Sequence, residues 1–521
     1  MTSLIELPTP LGRDLPLEPT PDPATEPVRA SRLRRFWTSR WPWLAIIAIG
    51  QVVLSRVVPK HATAFQDEGL YIFMGHRVID QLLGGERLFE FPGAYFSGAP
   101  AFYPVLAAIA DNVGGLQAAR DLSLIFVIVT MIGCQGLTER LFGRLAGLLG
   151  AAAFAVCGSV IYLSQWATFD ALSMMFAALA AWLAVSSTKR DGLLLAPLVG
   201  VLLFAAIFAK YAGAMYVPIV CGLAVAVGWQ RYRWRIVWRS AFIAATTVIV
   251  FFFVVLIWGR GLLPGLSQTT TARHVLNPAT SVQLLQQTAL WVGPWLLLAV
   301  VGAAFRVRRQ PLLVTVLLVG SVLAPLQQIH IGEATSLRKH VAFGLIFACA
   351  LVGDLLARLA RRWFLAPLAA AILVGLTLHG MHFGGQFLRA YPEDSAFQRV
   401  LRQVVAANPG KPMLTEQSSA QRYELRDITT PRQWNDTYVF NYDGVSGLEA
   451  YRRAIDDHYF GVIYLNFTTA ESHNIVKLLS AGDPERRYYH LVAQVPGYIN
   501  GEQVGYWLVW TPQTQRYTPI R

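Results

Sequence analysis

Charge is scarce in this sequence. Only 14% of its 521 residues are charged while 54% are hydrophobic, and the mean hydropathy is +0.43. Soluble domains carry about 25% charged residues. The shortage excludes a chain folded wholly in water and implies that most of it is solvated by lipid. Acids are scarcer than bases, 31 against 44, which leaves a net charge of +13. Such a balance raises nucleic acid as a partner. Most of the basic residues, however, lie in short loops between apolar segments, the orientation signal of a membrane protein, so no nucleic acid is expected. Cysteine is nearly absent: Cys134, Cys157, Cys221 and Cys349 all fall inside apolar segments, and none has metal-ligand spacing. They read as small core hydrophobes, and no disulfide framework is expected. No cleavable leader is expected either. Residues 1–40 are Pro-rich and polar, ending in Arg29, Arg32, Arg34, Arg35 and Arg40, and the apolar run begins too late for a signal peptide. They read as a disordered cytoplasmic tail.

What the chain has in abundance is apolar segments of spanning length, about 20 residues each. They lie near 42–58, 121–138, 145–163, 169–187, 192–209, 211–228, 238–258, 288–305, 311–328, 339–357 and 364–381, about eleven in all. The segments 192–209 and 211–228 are separated only at Lys210-Tyr211, and the alternative is one broken helix that reverses the topology downstream. Basic residues argue for two spans. With the N-terminus inside, the cytoplasmic loops hold Arg140 and Arg144; Lys189 and Arg190; Arg231, Arg233, Arg235 and Arg239; Arg306, Arg308 and Arg309; and Arg358, Arg361 and Arg362. An odd span count then puts the C-terminus outside.

Two outer loops are long. The first, 59–120, is aromatic, Gly/Pro-punctuated and only half apolar, and reads as helices lying in the interface plane. The second, 259–287, is read as a polar, mobile loop. From about 386 the composition becomes that of a soluble domain. Helices are expected in DSAFQRVLRQVVAANPG, GLEAYRRAIDDHY and ESHNIVKLLSAG, and strands in PMLTEQ, FGVIYLNF, YYHLVAQV and GYWLVWTP. The fold class is therefore a polytopic α-helical membrane protein with a C-terminal extracytoplasmic α/β domain. Its expected parts are the tail 1–40, a transmembrane domain 41–385 and a soluble domain 386–521.

Chemistry concentrates on the expected outer side. The stretch Phe65 to Gly85 opens with the adjacent carboxylates Asp67-Glu68 and runs on as a helix. Two solvated acids at a helix N-terminus, where negative charge is favoured, are the bland alternative. Asp170 falls in the first turn of the fourth span, where the same alternative applies. Lys210 runs against the positive-inside trend; its alternative is a lysine snorkelling at a helix end. Arg338, Lys339 and His340 cluster at the outer start of the tenth span, on the side where bases are scarce. Backbone N–H groups, helix dipole and guanidinium together suit an anion there, against headgroup anchoring as the alternative. Tyr71, four residues after Asp67, and Tyr103 are candidate lining residues. His76, Arg77, Arg273-His274 and the pair His330 and Glu333 carry less weight, since two ligands alone are weak evidence of a metal. The two Asn-X-Thr sequons, at Asn435 and Asn466, read as chance.

An acidic pair opening the first outer loop, followed by this span pattern, the Gln165–Asp170 stretch and the late basic cluster, resembles the GT-C fold glycosyltransferases. These take sugars from polyprenyl-phosphate carriers. Family 39, with the protein O-mannosyltransferases and aminoarabinose transferases, fits best, over roughly 42–360. The resemblance implies an inverting transfer at the extracytoplasmic face. In it Asp67 is general base to the acceptor hydroxyl, and Glu68 or Asp170 orients it or holds a divalent cation. Arg338, Lys339, His340 and Lys210 meet the carrier phosphate. The sequence departs at one place. Aminoarabinose transferases carry Lys-Pro-Pro in the first loop, whereas this chain has Gly98-Ala99-Pro100-Ala101 and Phe102-Tyr103-Pro104, so donor and acceptor do not carry over. The expected acceptor is a glycan, lipid or protein, and the expected location is a bacterial plasma membrane. The rival reading is a transporter or flippase of lipid-linked sugars, in which the same charges only bind. No inverted repeat and no mid-membrane charge favour it.

Overall fold

A computed structural model describes residues 39–517 except 86, 89–92, 94–95, 187–191, 270–274, 276, 468 and 482–487. The expected tail therefore lies almost wholly outside the described residues, as do Lys189, Arg190, Arg273 and His274. The helical part runs α1 (Trp41–Val57), α2 (Gln66–Leu82), α3 (Tyr103–Phe142), α4 (Arg144–Ala155), α5 (Gly158–Leu163), α6 (Phe169–Ser186) and α7 (Gly192–Ala209). A 3-10 turn, Tyr211–Tyr216, leads into α8 (Val217–Tyr232), α9 (Trp234–Thr269), α10 (Ser281–Ala304), α11 (Pro311–Ile331), α12 (Leu337–Ala360) and α13 (Ala366–Leu388). Among the described residues eight helices are long and apolar enough to cross a membrane. Three shorter apolar helices, at 41–57, 144–155 and 195–209, occupy the remaining expected positions.

The bundle is organised around α12. Every residue from Lys339 to Ala357 is buried in it, as expected of a helix apolar on all sides and surrounded by others. The outer helices present an apolar face instead: α9 exposes Val248, Ile249, Phe252, Phe253, Leu256 and Ile257. An exposed stripe of that size on a helix whose backbone bonds are internal is a lipid-facing surface.

Two expectations are corrected, those for the second outer loop and for the span 145–163, while the first loop is helical as expected. The first long loop contains α2 and the leading part of α3, which bends where Gly115 takes φ +66. A left-handed residue breaks the hydrogen-bond ladder there, and glycine adopts it without strain. The second loop is largely helix: α9 continues to Thr269 past a kink at Trp258, and α10 begins at Ser281, its N-terminus capped by Thr280 Oγ1 accepting from Gln283 N–H at 3.3 Å. The expected span 145–163 divides into α4 and α5 at Val156-Cys157. Cys134, Cys157 and Cys349 are buried free thiols, and Cys221 is a partly buried one.

The C-terminal region follows the pattern read from its periodicity. Its elements are α14 (Ser395–Ala407), β1 (Met413–Thr415), α15 (Ser419–Glu424), β2 (Trp434–Asp436), β3 (Asn441–Tyr442), β4 (Val445–Ser446), α16 (Leu448–Asp456), β5 (Val462–Leu465), α17 (Ala470–Ser480), β6 (His490–Ile499) and β7 (Glu502–Thr511). The main sheet has order β2-β1-β5-β7-β6, with β2, β1 and β5 parallel and β7 antiparallel to both its neighbours. Alternate side chains cover its two faces. Met413, Val462, Tyr464 and Val509 pack under Phe397, Val400, Leu401 and Val404 of α14. Leu414, Ile463, Leu465 and Trp510 pack under α16 and α17 through Ala450, Tyr451, Ile475 and Leu479.

Candidate active site

The C-terminal region docks on α2, and the two meet at very close range. A Cβ added at Gly69 would stand 2.7 Å from Ala420 Cα and from the Ser419 carbonyl oxygen. Only glycine permits this approach, so the first turn of α2 is fixed by α15 from above. A second anchor is Asp111 of α3, whose side chain is wholly buried. It accepts from His76 Nε2 at 2.7 Å, from Arg426 Nη2 at 2.8 Å and from the Tyr423 hydroxyl. One carboxylate thus ties α2, α3 and α15 together.

Phe65 precedes α2 in an extended conformation, and its N–H donates to Glu68 Oε2 at 2.9 Å. Glu68 is completely buried. Arg120 grips it from two sides, Nε to Oε1 at 2.8 Å and Nη2 to Oε2 at 2.7 Å, and the Ala167 N–H donates to Oε1 at 2.9 Å. Arg120 also donates to the carbonyls of His61 and Thr63, each at 3.0 Å. Both oxygens of Glu68 are therefore engaged, and its geometry is that of a clamp joining α2, α3 and the chain before α6. Arg120 escaped the sequence reading. The signal was present, a further base on the side where bases are scarce, but its partner lies 52 residues away.

Asp67, on the next face of the same turn, is one-quarter exposed and is paired to Lys339 Nζ of α12. Lys339 is nearly buried, with Nζ 5.8 Å from the Phe65 ring centre and 5.7 Å from that of Trp166. Those two rings stack at 4.0 Å. Beside this pair stands a second, Asp170 of α6 with Lys210 at the end of α7, Oδ1 to Nζ 2.9 Å, both buried. Lys339 acts electrostatically on Asp170 as well as Asp67, so the four charges alternate in sign as one group. Residues 67, 170, 210 and 339 are thus gathered at a single end of the bundle.

The other candidates lie around this group. Arg338 turns away from Lys339, with its guanidinium 5.4 Å from the Phe387 ring and 6.0 Å from the Trp291 ring. No carboxylate pairs with it among the described residues. Successive helix residues diverge by about 100°, which is why three adjacent bases do not form one patch. His340 Nδ1 meets Gln328 Nε2 at 2.9 Å; because the amide can only donate, the ring proton is assigned to Nε2. Tyr71 is buried against Phe169, ring centres 4.1 Å apart. Tyr103 is wholly buried, its hydroxyl 3.1 Å from Ser123 Oγ. Arg77 pairs with Asp80 at 3.3 Å. Glu333 serves a turn, accepting from the N–H groups of Asn277 and Thr335.

Glu68 and Asp170, the two carboxylates singled out for a metal, each already face a cation. Among the described residues no three His, Cys, Asp or Glu side chains gather as a metal-binding group. The donor set therefore does not fit a divalent ion, and no step is routed through one.

Similarity to known proteins agrees with this architecture. Residues 99–258 match the family model described as dolichyl-phosphate-mannose-protein mannosyltransferase. No curated protein sequence matches the chain. Among solved structures, ArnT from Cupriavidus metallidurans bound to undecaprenyl phosphate is similar with a TM-score of 0.63 at 13% identity, over 91% of this chain and 98% of that one. The oligosaccharyltransferase of Archaeoglobus fulgidus gives 0.58 at 11% identity, over 86% of this chain and 72% of that one. The arabinofuranosyltransferase AftD from Mycobacteria gives 0.54 at 17% identity, over 92% of this chain and 40% of that one. Fold and site together define a polytopic membrane protein. Its fold is that of the GT-C glycosyltransferases, and the resemblance to that group drawn from the sequence holds.

Proposed function

We propose that the protein transfers a sugar from a polyprenyl-phosphate carrier to an acceptor hydroxyl, with Asp67 as general base. The observation that carries this is the coupling of one partly exposed carboxylate to a buried ammonium beside a second, buried ion pair. The carrier phosphate is the natural competitor for Lys339. As it enters, Lys339 turns to its oxygens with the Lys210–Asp170 pair beside it, Arg338 reaches it only by swinging from its place over Phe387, and Asp67 loses its counter-ion when the acceptor needs a base. Buried cations in a water-poor site stabilise the charge that grows on a departing phosphate far better than exposed ones.

The transfer is written as an inverting displacement. Asp67 takes the proton from the acceptor O–H, and that oxygen forms a bond to the anomeric carbon. The bond from that carbon to the phosphate oxygen breaks on the opposite face, and its electron pair leaves with the polyprenyl phosphate. Glu68, locked by Arg120, holds α2 at the height that places Asp67 and is a positioning residue rather than a catalytic one. Asp170 keeps Lys210 charged and oriented.

The charges support an orientation. Arg306 and Arg358 converge on Asp354 toward the C-terminal end of α12, whereas Lys339 lies in its first turn, 15 residues earlier and so roughly 22 Å along the axis. An arginine-rich end is expected to be the cytoplasmic one, which supports the reading of Asp67 and the C-terminal domain, residues 386–521, on the outer side of a bacterial plasma membrane. The undecaprenyl phosphate bound by ArnT supports the carrier class.

The test is sugar transfer in membranes from a panel of polyprenyl-phosphate sugars. Transfer that disappears in Asp67→Asn while carrier binding persists supports the reading. Carrier binding weakened by Arg338→Ala, without transfer from any donor, moves the assignment to a transporter.

A further inference from the structure

A cavity of about 440 Å³ lies where the last turn of α3, the end of α8 and the start of α11 meet. α11 runs from this cavity to the turn before Lys339, so the cavity stands at the end of the bundle opposite the Asp67–Lys339 pair. Two arginines line it. Arg140 belongs to the last turn of α3, and Arg309 to the tight turn between α10 and α11, where its N–H donates to the Arg306 carbonyl at 2.9 Å. Neither guanidinium pairs with a carboxylate among the described residues, and no acid lines the cavity. Glu139, next to Arg140 in sequence, is held by Arg40 at 3.0 Å. The first turn of α11 lines the cavity with no side chain capping it, which adds the partial positive charge of a helix start.

The rest of the lining is largely apolar, with Leu141, Trp229 and Leu313 contributing to it. Trp229 stands edge-on to Trp234, ring centres 5.5 Å apart, and Trp234 and Trp238 are 71% and 78% exposed. Exposed tryptophans at the end of an apolar helix mark the level of the lipid headgroups. The cavity therefore combines two arginines lacking an acidic partner with an apolar wall, at headgroup depth. A free anion would use only the arginines. A phospholipid uses both, its phosphate on the guanidiniums and its glycerol backbone on the wall. The volume falls within the roughly 300–1,000 Å³ of pockets that enclose small organic ligands.

We propose that this cavity binds the headgroup of an anionic phospholipid, with Arg140 and Arg309 on the phosphate oxygens and Leu141 and Trp229 against the glycerol backbone. Basic pockets between membrane helices suit such headgroups. The bound lipid ties together the ends of α3, α8 and α11. This site goes beyond the sugar transfer proposed above and does not depend on it.

The experiment is native mass spectrometry of the full-length protein in detergent micelles, titrated with phosphatidylglycerol or with phosphatidylcholine of the same chains. Inorganic phosphate in excess is the competitor. The variants are Arg140→Gln and Arg309→Gln, both at exposed positions, and Ala226→Phe, which fills the cavity without changing charge. Arg362→Gln is the control: it removes an exposed charge at the same end of the bundle but outside the cavity. The expected result is one saturable phosphatidylglycerol site, weakened about tenfold by Arg140→Gln and by Arg309→Gln, the worth of a hydrogen bond to a charged group. Ala226→Phe should weaken it too, Arg362→Gln should leave it intact, and phosphatidylcholine should bind more weakly. Equal losses in Arg362→Gln and the two cavity arginine variants overturn the proposal, since diffuse charge would then account for the binding. Phosphatidylcholine binding as tightly as phosphatidylglycerol overturns it as well. Complete displacement of the lipid by inorganic phosphate would make the ligand a free anion and overturn the lipid assignment.

Discussion

Lys339 donates to Asp67 across 272 residues of sequence, and so joins the most buried helix of the bundle to the first turn of α2. The pair is the point at which donor and acceptor chemistry are coupled in the proposed reaction. While Lys339 holds Asp67, a carboxylate oxygen is engaged by the ammonium. When phosphate takes the lysine, the base is freed.

Replacing Lys339 by Met is expected to weaken carrier binding by roughly 10- to 150-fold, the worth of a hydrogen bond to a charged group. Its effect should fall on the donor KM more than on that of the acceptor. Steady-state transfer with each substrate varied in turn separates the two. An unchanged donor KM removes Lys339 from the phosphate site.

The Glu68–Arg120 clamp is a stability feature before it is a functional one. Glu68→Gln leaves the Arg120 guanidinium buried without its counter-charge, which typically costs about 3–5 kcal/mol. A large fall in the temperature of thermal inactivation is expected, with transfer lost in proportion to folded protein. The double variant Glu68→Gln with Arg120→Gln should recover part of the loss. A fully stable Glu68→Gln protein with abolished transfer would make Glu68 catalytic instead.

Asp394 gives the stability of the C-terminal region a pH dependence. Burial is the main cause that raises its carboxyl from 3.8 to about 6, with Glu393 and Glu424 adding repulsion. A raised folded pKa means that the native state holds the proton more tightly than the unfolded chain. Its contribution is fully present below about pH 4 and is lost as pH rises through about 6. Two pH units correspond to on the order of 3 kcal/mol. Asp394→Asn removes that penalty, so thermal shift should show stabilisation at pH 7.5 and none at pH 4.5. Equal shifts at both pH values would contradict the burial argument.

Asp111 links the C-terminal region to α2 through Tyr423, Arg426 and His76. Asp111→Asn is expected to loosen that docking, which hydrogen exchange in α15 and at the start of α2 reads directly. A rise confined to α3 would show that the network serves α3 alone.

Much of this was legible in the sequence, for physical reasons. Spans announce themselves by length and hydropathy, and the strands around Ile463 and Val509 by apolar runs between turn signals. Lys210, Lys339 and the acids were visible because charge is costly at a membrane and bases are rare on that side. What stayed hidden were pairings across long separations. Nothing near Arg120 names Glu68, and nothing near Asp111 names Arg426, 315 residues later. Asp394 lay in a stretch read only as the opening of a helix, and its burial exists only once α14 and α15 are packed. The failure on 259–269 has a different source: polar composition was taken for loop, whereas α9 simply bends at Trp258 and continues.

The most direct measurement of the central claim is radiolabelled sugar transfer in membranes from a panel of polyprenyl-phosphate donors, with wild type beside Asp67→Asn. A base worth about 10²–10⁴-fold predicts that Asp67→Asn loses transfer by that factor while still binding carrier. Near-normal turnover by a folded Asp67→Asn protein would contradict the account.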